Sequence, residues 1–194
     1  MSPIGVGSPG SSPRVAAVAL LLVWPLQPLD DAARDWVRTL RRPALEAPMR
    51  VVSDRSRVVL IAGAGVALVS GAAGRAFLAQ SALAMLPVNG AVELLKWTVD
   101  RTRPDGGHDR RNSSFPSSHA ANAFTMAAML TRRWRRAAIP AWLAASVVAF
   151  SRLYLDRHWL TDVLGSLLLA LAAAWFAAWA MHRWQERMDA ARKS

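Results

Sequence analysis

Three short groups of charged and hydroxyl residues carry the chemistry that this sequence can perform. In chain order they are Lys96-x6-Arg103-Pro104, Pro116-Ser117-Ser118-His119 and Ser151-Arg152-x5-His158-x3-Asp162. Together they supply three cations, several serine hydroxyls, two imidazoles and one carboxylate. Such a set is suited to binding a phosphate and transferring it through a histidine. Because each group lies at the end of an apolar stretch, we expect the site where membrane meets water.

His158 and Asp162 are separated by the spacing that places two side chains on one face of a helix. The carboxylate can then accept a hydrogen bond from one imidazole nitrogen, which leaves the lone pair of the other nitrogen for a substrate. An ordinary contact at a helix end explains the pair equally well. A metal pair also fits the spacing, but a catalytic metal needs a third ligand, and no His-Glu-x-x-His motif supplies one.

His119 follows Pro116 and two serines, a pattern typical of a helix start. The proline interrupts the preceding chain, and a serine is a favourable N-cap. The free N–H groups of the next turn can hold a phosphate oxygen, and His119 on that turn could protonate a leaving group. The same pattern is also typical of a capped helix whose histidine is incidental.

Lys96, Arg103 and Arg152 provide positive charge. Arginine binds phosphate through two parallel hydrogen bonds, whereas lysine acts as a point charge. At the ends of apolar helices such residues are usually anchors that reach into water. Arg152 fits that explanation less well, because it continues the apolar run Trp142–Phe150 and a charge at that depth usually faces a partner or a water-filled cavity. Glu93, one turn before Lys96, is a candidate partner of that lysine.

The elements that must position these groups are apolar stretches. A spanning helix needs about 20 mostly apolar residues. Five stretches are candidates and a sixth, broken by two prolines, is weaker: Val58–Gly74, Ala76–Leu95, Ser118–Leu130, Ala137–Phe150, Leu160–Met181 and Val15–Leu29. We therefore predict an all-α, polytopic membrane bundle of about six transmembrane helices. A soluble bundle is the alternative, but it would have to bury the uncharged run Val163–Ala180 on every side.

The domain organisation follows from these stretches. We expect a disordered segment at 1–14, one membrane domain at 15–182 with its motif core at 96–162, and a basic tail at 183–194. Val15–Trp24 could be the core of a signal peptide, but an uncleaved first helix is favoured because Arg14 alone precedes it and no small-residue cleavage site follows. Asp30–Arg57 is a polar connector with an amphipathic helix that lies on the membrane or in solvent.

The formal net charge of +11 does not indicate a nucleic-acid partner, because the arginines occupy short loops without an aromatic stacking pattern. Anionic lipids and a phosphate substrate explain the charge more simply. Two basic clusters flank the last three apolar stretches: Arg132, Arg133, Arg135 and Arg136, and then Arg183, Arg187, Arg192 and Lys193. The positive-inside rule makes that face cytoplasmic, so we expect the motifs on the extracytoplasmic face of the inner membrane. The absence of cysteine excludes a disulfide or a thiol nucleophile.

In this order and at these spacings, the three groups resemble the signature of the type 2 phosphatidic acid phosphatase family. The family includes membrane lipid phosphatases, soluble bacterial acid phosphatases and vanadium haloperoxidases. Its pattern is Lys-x6-Arg-Pro, Pro-Ser-Gly-His and Ser-Arg-x5-His-x3-Asp, which here extends over residues 96–162. Ser118 stands where the family usually has glycine, and it either crowds the bound anion or adds a contact to it.

The resemblance implies a role for each matching residue. His158 would attack phosphorus and form a phosphohistidine, Asp162 would orient it, and His119 would protonate the leaving group and then activate water. The phosphate would be held by Lys96, Arg103, Ser117, Ser118 and Arg152. Neither a metal nor another cofactor would be required.

The sequence thus predicts an integral-membrane phosphatase of lipid phosphates, with membrane lipids as its other partners and an oligomeric state left open. Polyprenyl diphosphate is favoured over phosphatidic acid and phosphatidylglycerol phosphate, because the chain is small and shows no extra domain. A non-catalytic protein that binds anionic lipids, or a degenerate family member, is the rival hypothesis. The chain keeps His119, His158 and Asp162, which a degenerate member should have lost. A metal-dependent phosphatidyltransferase is disfavoured because no repeated Asp motif lies on a helix.

Overall fold

The computed structural model describes residues 24–69, 71–107 and 112–193, and this part of the chain is helical without strands. Its six α-helices are α1 (Gln27–Thr39), α2 (Pro43–Val69), α3 (Gly71–Val99), α4 (Ser118–Arg133), α5 (Ala138–Tyr154) and α6 (Leu160–Lys193). Short 3₁₀ helices, Trp24–Leu26 and Arg135–Ala137, precede α1 and α5. The predicted all-α class is confirmed. The predicted disordered segment 1–14 and most of the first apolar stretch lie outside the described residues.

Three of the helices are long and apolar enough to cross a membrane. By length and composition these are Gly74–Val99, Arg135–Tyr154 and Leu160–Lys193. The helix α4 has 16 residues, fewer than a spanning helix usually needs. The described residues therefore support a membrane bundle, whereas the count of about six spans stays approximate.

The predicted boundary between the stretches Val58–Gly74 and Ala76–Leu95 is wrong. In the structure α3 already begins at Gly71, whose φ of +79° is favourable only for glycine. The predicted polar connector is also not a separate segment, because its second half is the beginning of α2. Pro43 is the first residue of that helix. An N–H group at this position has no partner within the helix, so the missing N–H of proline costs no hydrogen bond there. At the other end of the chain, α6 continues as a helix through the basic segment 183–193.

The bundle is centred on α4, which packs against α3, α5 and α6. Its contacts with α5 and α6 use mostly small side chains, among them Ala120, Ala127, Ala145, Ala149 and Ala170. Small residues let helices approach closely, which matters where association in lipid depends on packing. Large apolar side chains of α6 such as Leu168, Trp175 and Trp179 are exposed instead, as expected of a surface that faces lipid.

Both loops that carry chemical motifs meet at one end of the bundle. The loop that joins α3 to α4 is described at residues 100–107 and 112–117, and the turn 155–159 joins α5 to α6. The N–H of Ser114 donates to the carbonyl of Arg101 at 2.8 Å, and the N–H of Ser117 lies 3.5 Å from the carbonyl of Asp162. The first contact joins two parts of the same loop, and the second holds that loop against the beginning of α6.

Gly165 in α6 is required by a close approach of that loop. A Cβ atom at this position would lie 2.6 Å from the ring of Phe115, a distance that real Cβ contacts do not show. Phe115 comes directly before Pro116 and Ser117, so its packing on Gly165 helps to place the start of α4.

We expect the substitution Gly165→Ala to lower the thermal unfolding temperature of the detergent-purified protein, because Phe115 must move. Overpacking of this kind typically costs about 1–3 kcal/mol. The matched control is Gly90→Ala in α3, where a Cβ meets no atom within 4 Å. There the better helix propensity of alanine should leave stability unchanged or raise it. Equal unfolding temperatures for the two variants would contradict the packing argument.

Candidate active site

A tight turn between α5 and α6 places His158. The N–H groups of Arg157 and His158 both point to the carbonyl of Arg152, at 2.9 and 3.3 Å. Asp156 adopts the left-handed conformation, with φ +52°, which Asp tolerates better than most residues. The turn brings His158 back against the end of α5, and only 4% of its surface is exposed. His158 therefore lies just before α6 and not on it, in contrast to the predicted helical pair.

The imidazole of His158 has a defined tautomer. Its Nδ1 lies 2.8 Å from the backbone carbonyl of Ser114 and 3.6 Å from a carboxylate oxygen of Asp162. A carbonyl can only accept, so Nδ1 carries the proton and Nε2 keeps the free lone pair. The predicted neighbour Asp162 is present, but the closer partner of Nδ1 is the carbonyl of Ser114.

The carboxylate of Asp162 accepts three hydrogen bonds, and its side chain is fully buried. The hydroxyl of Ser114 donates to one carboxylate oxygen, which also accepts the backbone N–H of Trp159 at 2.8 Å. The guanidinium of Arg101 donates to the other oxygen at 2.7 Å. These donors fix the carboxylate beside His158.

Arg101 and Asp30 extend this network and are absent from the sequence-based prediction. Arg101 donates to Asp30 at 2.6 Å, and Asp30 also accepts the backbone N–H of Thr161 at 2.8 Å. The side chain of Asp30 is fully buried and that of Arg101 is 9% exposed. Arg101 is one of the six positions between Lys96 and Arg103 that the Lys-x6-Arg-Pro pattern leaves unspecified. Asp30 is too distant in the chain for any local pattern to reveal it.

The helix α1 therefore packs on the site and is not a free surface helix. Val37 is 2% exposed, whereas the neighbouring Trp36 is 59% exposed. Arg34 of α1 and Arg41, which lies two residues beyond the end of α1, are 3.0 and 2.8 Å from Asp156. Burial alone would raise the pKa of Asp156, but the hydrogen bonds and charges of these arginines outweigh it and lower the pKa. The ionised carboxylate holds the turn in place.

Trp159 lies between α1 and the loop that joins α3 to α4. The guanidinium groups of Arg34 and Arg101 lie 5.4 and 5.3 Å from the centre of its ring, within the range of cation–π attraction. Its indole N–H donates to the carbonyl of Thr102 at 2.9 Å. Trp159 thus stabilises the site, whereas Trp97, Trp134 and Trp184 are exposed as expected near helix ends.

The predicted phosphate-binding cations occupy the same end of the bundle. Arg152 is 7% exposed and donates to the hydroxyl of Ser53 on α2. Arg103 donates to the side-chain oxygen of Asn112 at 2.6 Å. Lys96 is buried near the end of α3, and its ammonium lies 3.8 Å from Glu93, the partner that the spacing indicated.

The beginning of α4 has the geometry that the serines predict. Ser117 is the N-cap and its hydroxyl accepts the N–H of Ala120 at 3.4 Å. Ser118 is the first helical residue and is buried. Among the described residues other than glycine, a positive φ occurs at Asp100 and Asp156 and not at Ser118. The exchange of glycine for serine is therefore compatible with this backbone. His119 follows on the first turn, half-buried.

The surroundings of His158 keep its imidazole neutral. Burial lowers the pKa of His158, Asp162 opposes that effect, and the charges of Arg152 and Arg103 lower the pKa further. A neutral imidazole with a free Nε2 lone pair is the nucleophilic form.

Comparison with known proteins identifies related chains. The model of the PAP2 superfamily matches residues 77–186. A lipid A 1-phosphatase of Porphyromonas gingivalis is 29% identical over 106 residues, which cover 53% of this chain and 23% of that protein. The chain thus spans less than a quarter of the length of this relative.

Two solved structures share the fold. A transmembrane PAP2-type phosphatidylglycerolphosphate phosphatase from Bacillus subtilis superimposes with a TM-score of 0.65 at 24% identity, over 88% of this chain and 95% of the other. Aquifex aeolicus LpxE superimposes with a TM-score of 0.67 at 20% identity, over 75% and 92%. These likenesses, together with the apolar helices, confirm an integral-membrane helical bundle.

We expect Arg101→Gln to destabilise the fold strongly, because it leaves the buried carboxylates of Asp30 and Asp162 without their shared cation. Removing one partner of a buried ion pair costs about 3–5 kcal/mol. The matched control is Arg157→Gln, which removes a more exposed contact with Asp105 worth about 0–1 kcal/mol. Thermal unfolding in detergent measures both, and the double variant Arg101→Gln/Asp30→Asn should recover part of the loss. Similar losses for Arg101→Gln and Arg157→Gln would refute the role of the buried network.

The pKa of His158 should lie below 6.5 in the folded protein, and NMR titration of its ring signals, assigned with His158→Gln, measures it. As pH falls, the unfolded chain binds this proton before the folded chain does. The contribution of His158 to stability is therefore present above pH 6.5 and is lost as pH falls through the lower folded pKa. A folded pKa at or above 6.5 would contradict the burial argument.

Proposed function

The chain belongs to the PAP2 superfamily, and on that premise we propose that it is a membrane phosphatase that hydrolyses the phosphomonoester or diphosphate group of a lipid. The observation that carries the proposal is the buried histidine of the α5–α6 turn, whose Nδ1 is occupied by the carbonyl of Ser114 and whose charge is suppressed by burial. The apolar helices that end at this site favour a substrate whose tail lies in the bilayer.

The proposed reaction has two steps. In the first, Nε2 of His158 forms a bond to phosphorus while the bond breaks between phosphorus and the oxygen that stays with the lipid, and His119 gives that oxygen a proton. This oxygen is the ester oxygen of a monoester or the bridging oxygen of a diphosphate. In the second, His119 takes a proton from water, which attacks phosphorus and releases inorganic phosphate from His158. Asp162 orients the imidazole directly and through Ser114, whose hydroxyl it binds and whose carbonyl accepts Nδ1–H.

The cations of the site would hold the phosphate. Arg103, Arg152 and Lys96 stabilise the negative charge on the three oxygens that do not react. Ser117, Ser118 and the N–H groups that follow them add the positive end of α4. These groups supply the charge stabilisation that a metal ion provides in other phosphatases, so activity should not require a divalent metal.

The substrate is proposed at the level of class. Polyprenyl diphosphate remains the sequence-based preference, ahead of phosphatidic acid and phosphatidylglycerol phosphate. The relatives are described as phosphatases of lipid A and of phosphatidylglycerolphosphate, so lipid A belongs in the same comparison. The site is proposed to face away from the cytoplasm in the inner membrane, because the arginine clusters occupy the other end of the helices.

Phosphate release by the detergent-purified protein tests the proposal. The wild type and His158→Ala should be compared on polyprenyl diphosphate, phosphatidic acid, phosphatidylglycerol phosphate and lipid A, each with and without EDTA. We expect release that survives EDTA and is lost in His158→Ala, while the control His182→Ala, on the exposed end of α6, keeps it. Activity that persists in His158→Ala would exclude this residue as the nucleophile.

The two proposed steps can be separated with an aryl phosphate, whose leaving group needs no proton. On this substrate His119→Ala should still form the phosphohistidine but hydrolyse it slowly, because the second step loses its base. Rapid quenching should therefore show an acid-labile phosphoenzyme that accumulates in His119→Ala and is absent in His158→Ala. Failure of the phosphoenzyme to accumulate would remove His119 from the hydrolytic step.

A further inference from the structure

A cavity of about 560 Å³ opens at the end of the bundle opposite to the candidate active site. Three arginines line one side of it: Arg132, Arg133 and Arg135. Its remaining wall comes from α3, α4 and α6, where the apolar side chains of Met129, Ala177, Ala178 and Met181 lie among the polar Gln80, Thr131, His182 and Gln185. The cavity thus combines a cationic side with a wall that is apolar in part, and its volume lies within the range of ligand-binding pockets.

This cavity is remote from the candidate active site. Along α4, Arg132 lies about 21 Å from Ser118, because a helix rises about 1.5 Å per residue. Along α6 and α3, the same rise puts Ala177 and Gln80 of the cavity about 20–25 Å from Asp162 and Lys96. All three helices give a distance that approaches the thickness of a bilayer core. The cavity therefore belongs to the opposite membrane face and takes no part in phosphate transfer.

The arginines of the cavity are not compensated by carboxylates. Within the part of the chain that the structure describes, no Asp or Glu forms an ion pair with any of the three. The guanidinium of Arg133 lies 5.1 Å from the centre of the Trp134 ring. The nearby Glu186 pairs with Arg183 at 3.3 Å. The cavity consequently presents surplus positive charge beside a wall that is apolar in part.

We propose that this cavity binds the phosphate headgroup of an anionic phospholipid from the leaflet opposite to the active site. Arginine forks match phosphate oxygens, and basic pockets between membrane helices are suited to anionic headgroups. Free phosphate offers the same charge, but it would make no use of the apolar side chains of Met129, Ala177 and Met181, which a lipid acyl chain can cover. A bound lipid would connect α3, α4 and α6 and so stabilise the bundle by mass action.

The test uses the full-length protein in nanodiscs of phosphatidylcholine alone or of phosphatidylcholine mixed with phosphatidylglycerol. Thermal unfolding reports stabilisation, and native mass spectrometry of the detergent-extracted protein reports retained phosphatidylglycerol. The cavity variant is Arg132→Gln/Arg133→Gln/Arg135→Gln. The matched control is Arg136→Gln/Arg187→Gln/Arg192→Gln, which removes the same charge from the same face outside the cavity lining. The elution volume of each variant in size-exclusion chromatography serves as a check of folding.

Phosphatidylglycerol should raise the unfolding temperature of the wild type and of the control, and the cavity variant should lose the shift and the retained lipid. Loss of one charged hydrogen bond is equivalent to about a tenfold loss of affinity. If the cavity variant fails to fold, the variant Arg132→Lys/Arg133→Lys/Arg135→Lys replaces it, because lysine keeps the charge but cannot form the two parallel hydrogen bonds of arginine. A smaller rise of its unfolding temperature with phosphatidylglycerol supports the site, and an unchanged rise refutes it.

Three results would overturn the proposal. An equal loss in the cavity variant and in the control would show non-specific attraction to the charged face. An undiminished shift in the cavity variant would place the lipid elsewhere. A shift of the same size with inorganic phosphate in phosphatidylcholine nanodiscs would show an anion site that takes no lipid. None of these results depends on whether the protein is a phosphatase.

Discussion

The burial of the Asp162 carboxylate is the constraint on which the rest of the site depends. Its side chain has no exposed surface, and a charge removed from water is tolerated only when it is paired and hydrogen-bonded. Arg101 supplies the paired charge, but this arginine is itself nearly buried and contacts a second carboxylate, Asp30. Two carboxylates and one guanidinium therefore form a unit in which the replacement of one member leaves a buried charge unpaired.

This unit explains why distant parts of the chain are needed for one histidine. Asp30 belongs to α1, Arg101 to the loop after α3, and Asp162 to the first turn of α6. Ser114 completes the link, since its hydroxyl donates to Asp162 and its carbonyl receives Nδ1–H of His158. The tautomer of the histidine is thus set by the charge network through a backbone carbonyl. A displacement of α1 would therefore change the position of His158 through these contacts.

The sequence predicted the parts of this arrangement that depend on local spacing. Ser117 caps α4 and Glu93 lies beside Lys96 because both relations are contained within one helical turn. The position of His158 before α6, and the break at Gly71, depend on backbone conformations that composition does not reveal. The buried contact of Asp30 with Arg101 could not be predicted, because it joins residues 71 positions apart and neither belongs to a recognisable pattern.

Some arginines of this protein are paired with carboxylates and others are not. The paired ones stabilise the fold, whereas the others can bind an external anion. Arg34, Arg41 and Arg101 contact buried or nearly buried carboxylates, so their charge is used within the fold. A phosphate gains little from a guanidinium that is already neutralised. Arg132 and Arg135, at the opposite end, contact no carboxylate of the described residues and retain their charge for an external anion. A high net charge therefore says little about the ligands of a protein until the partner of each cation within the fold is known.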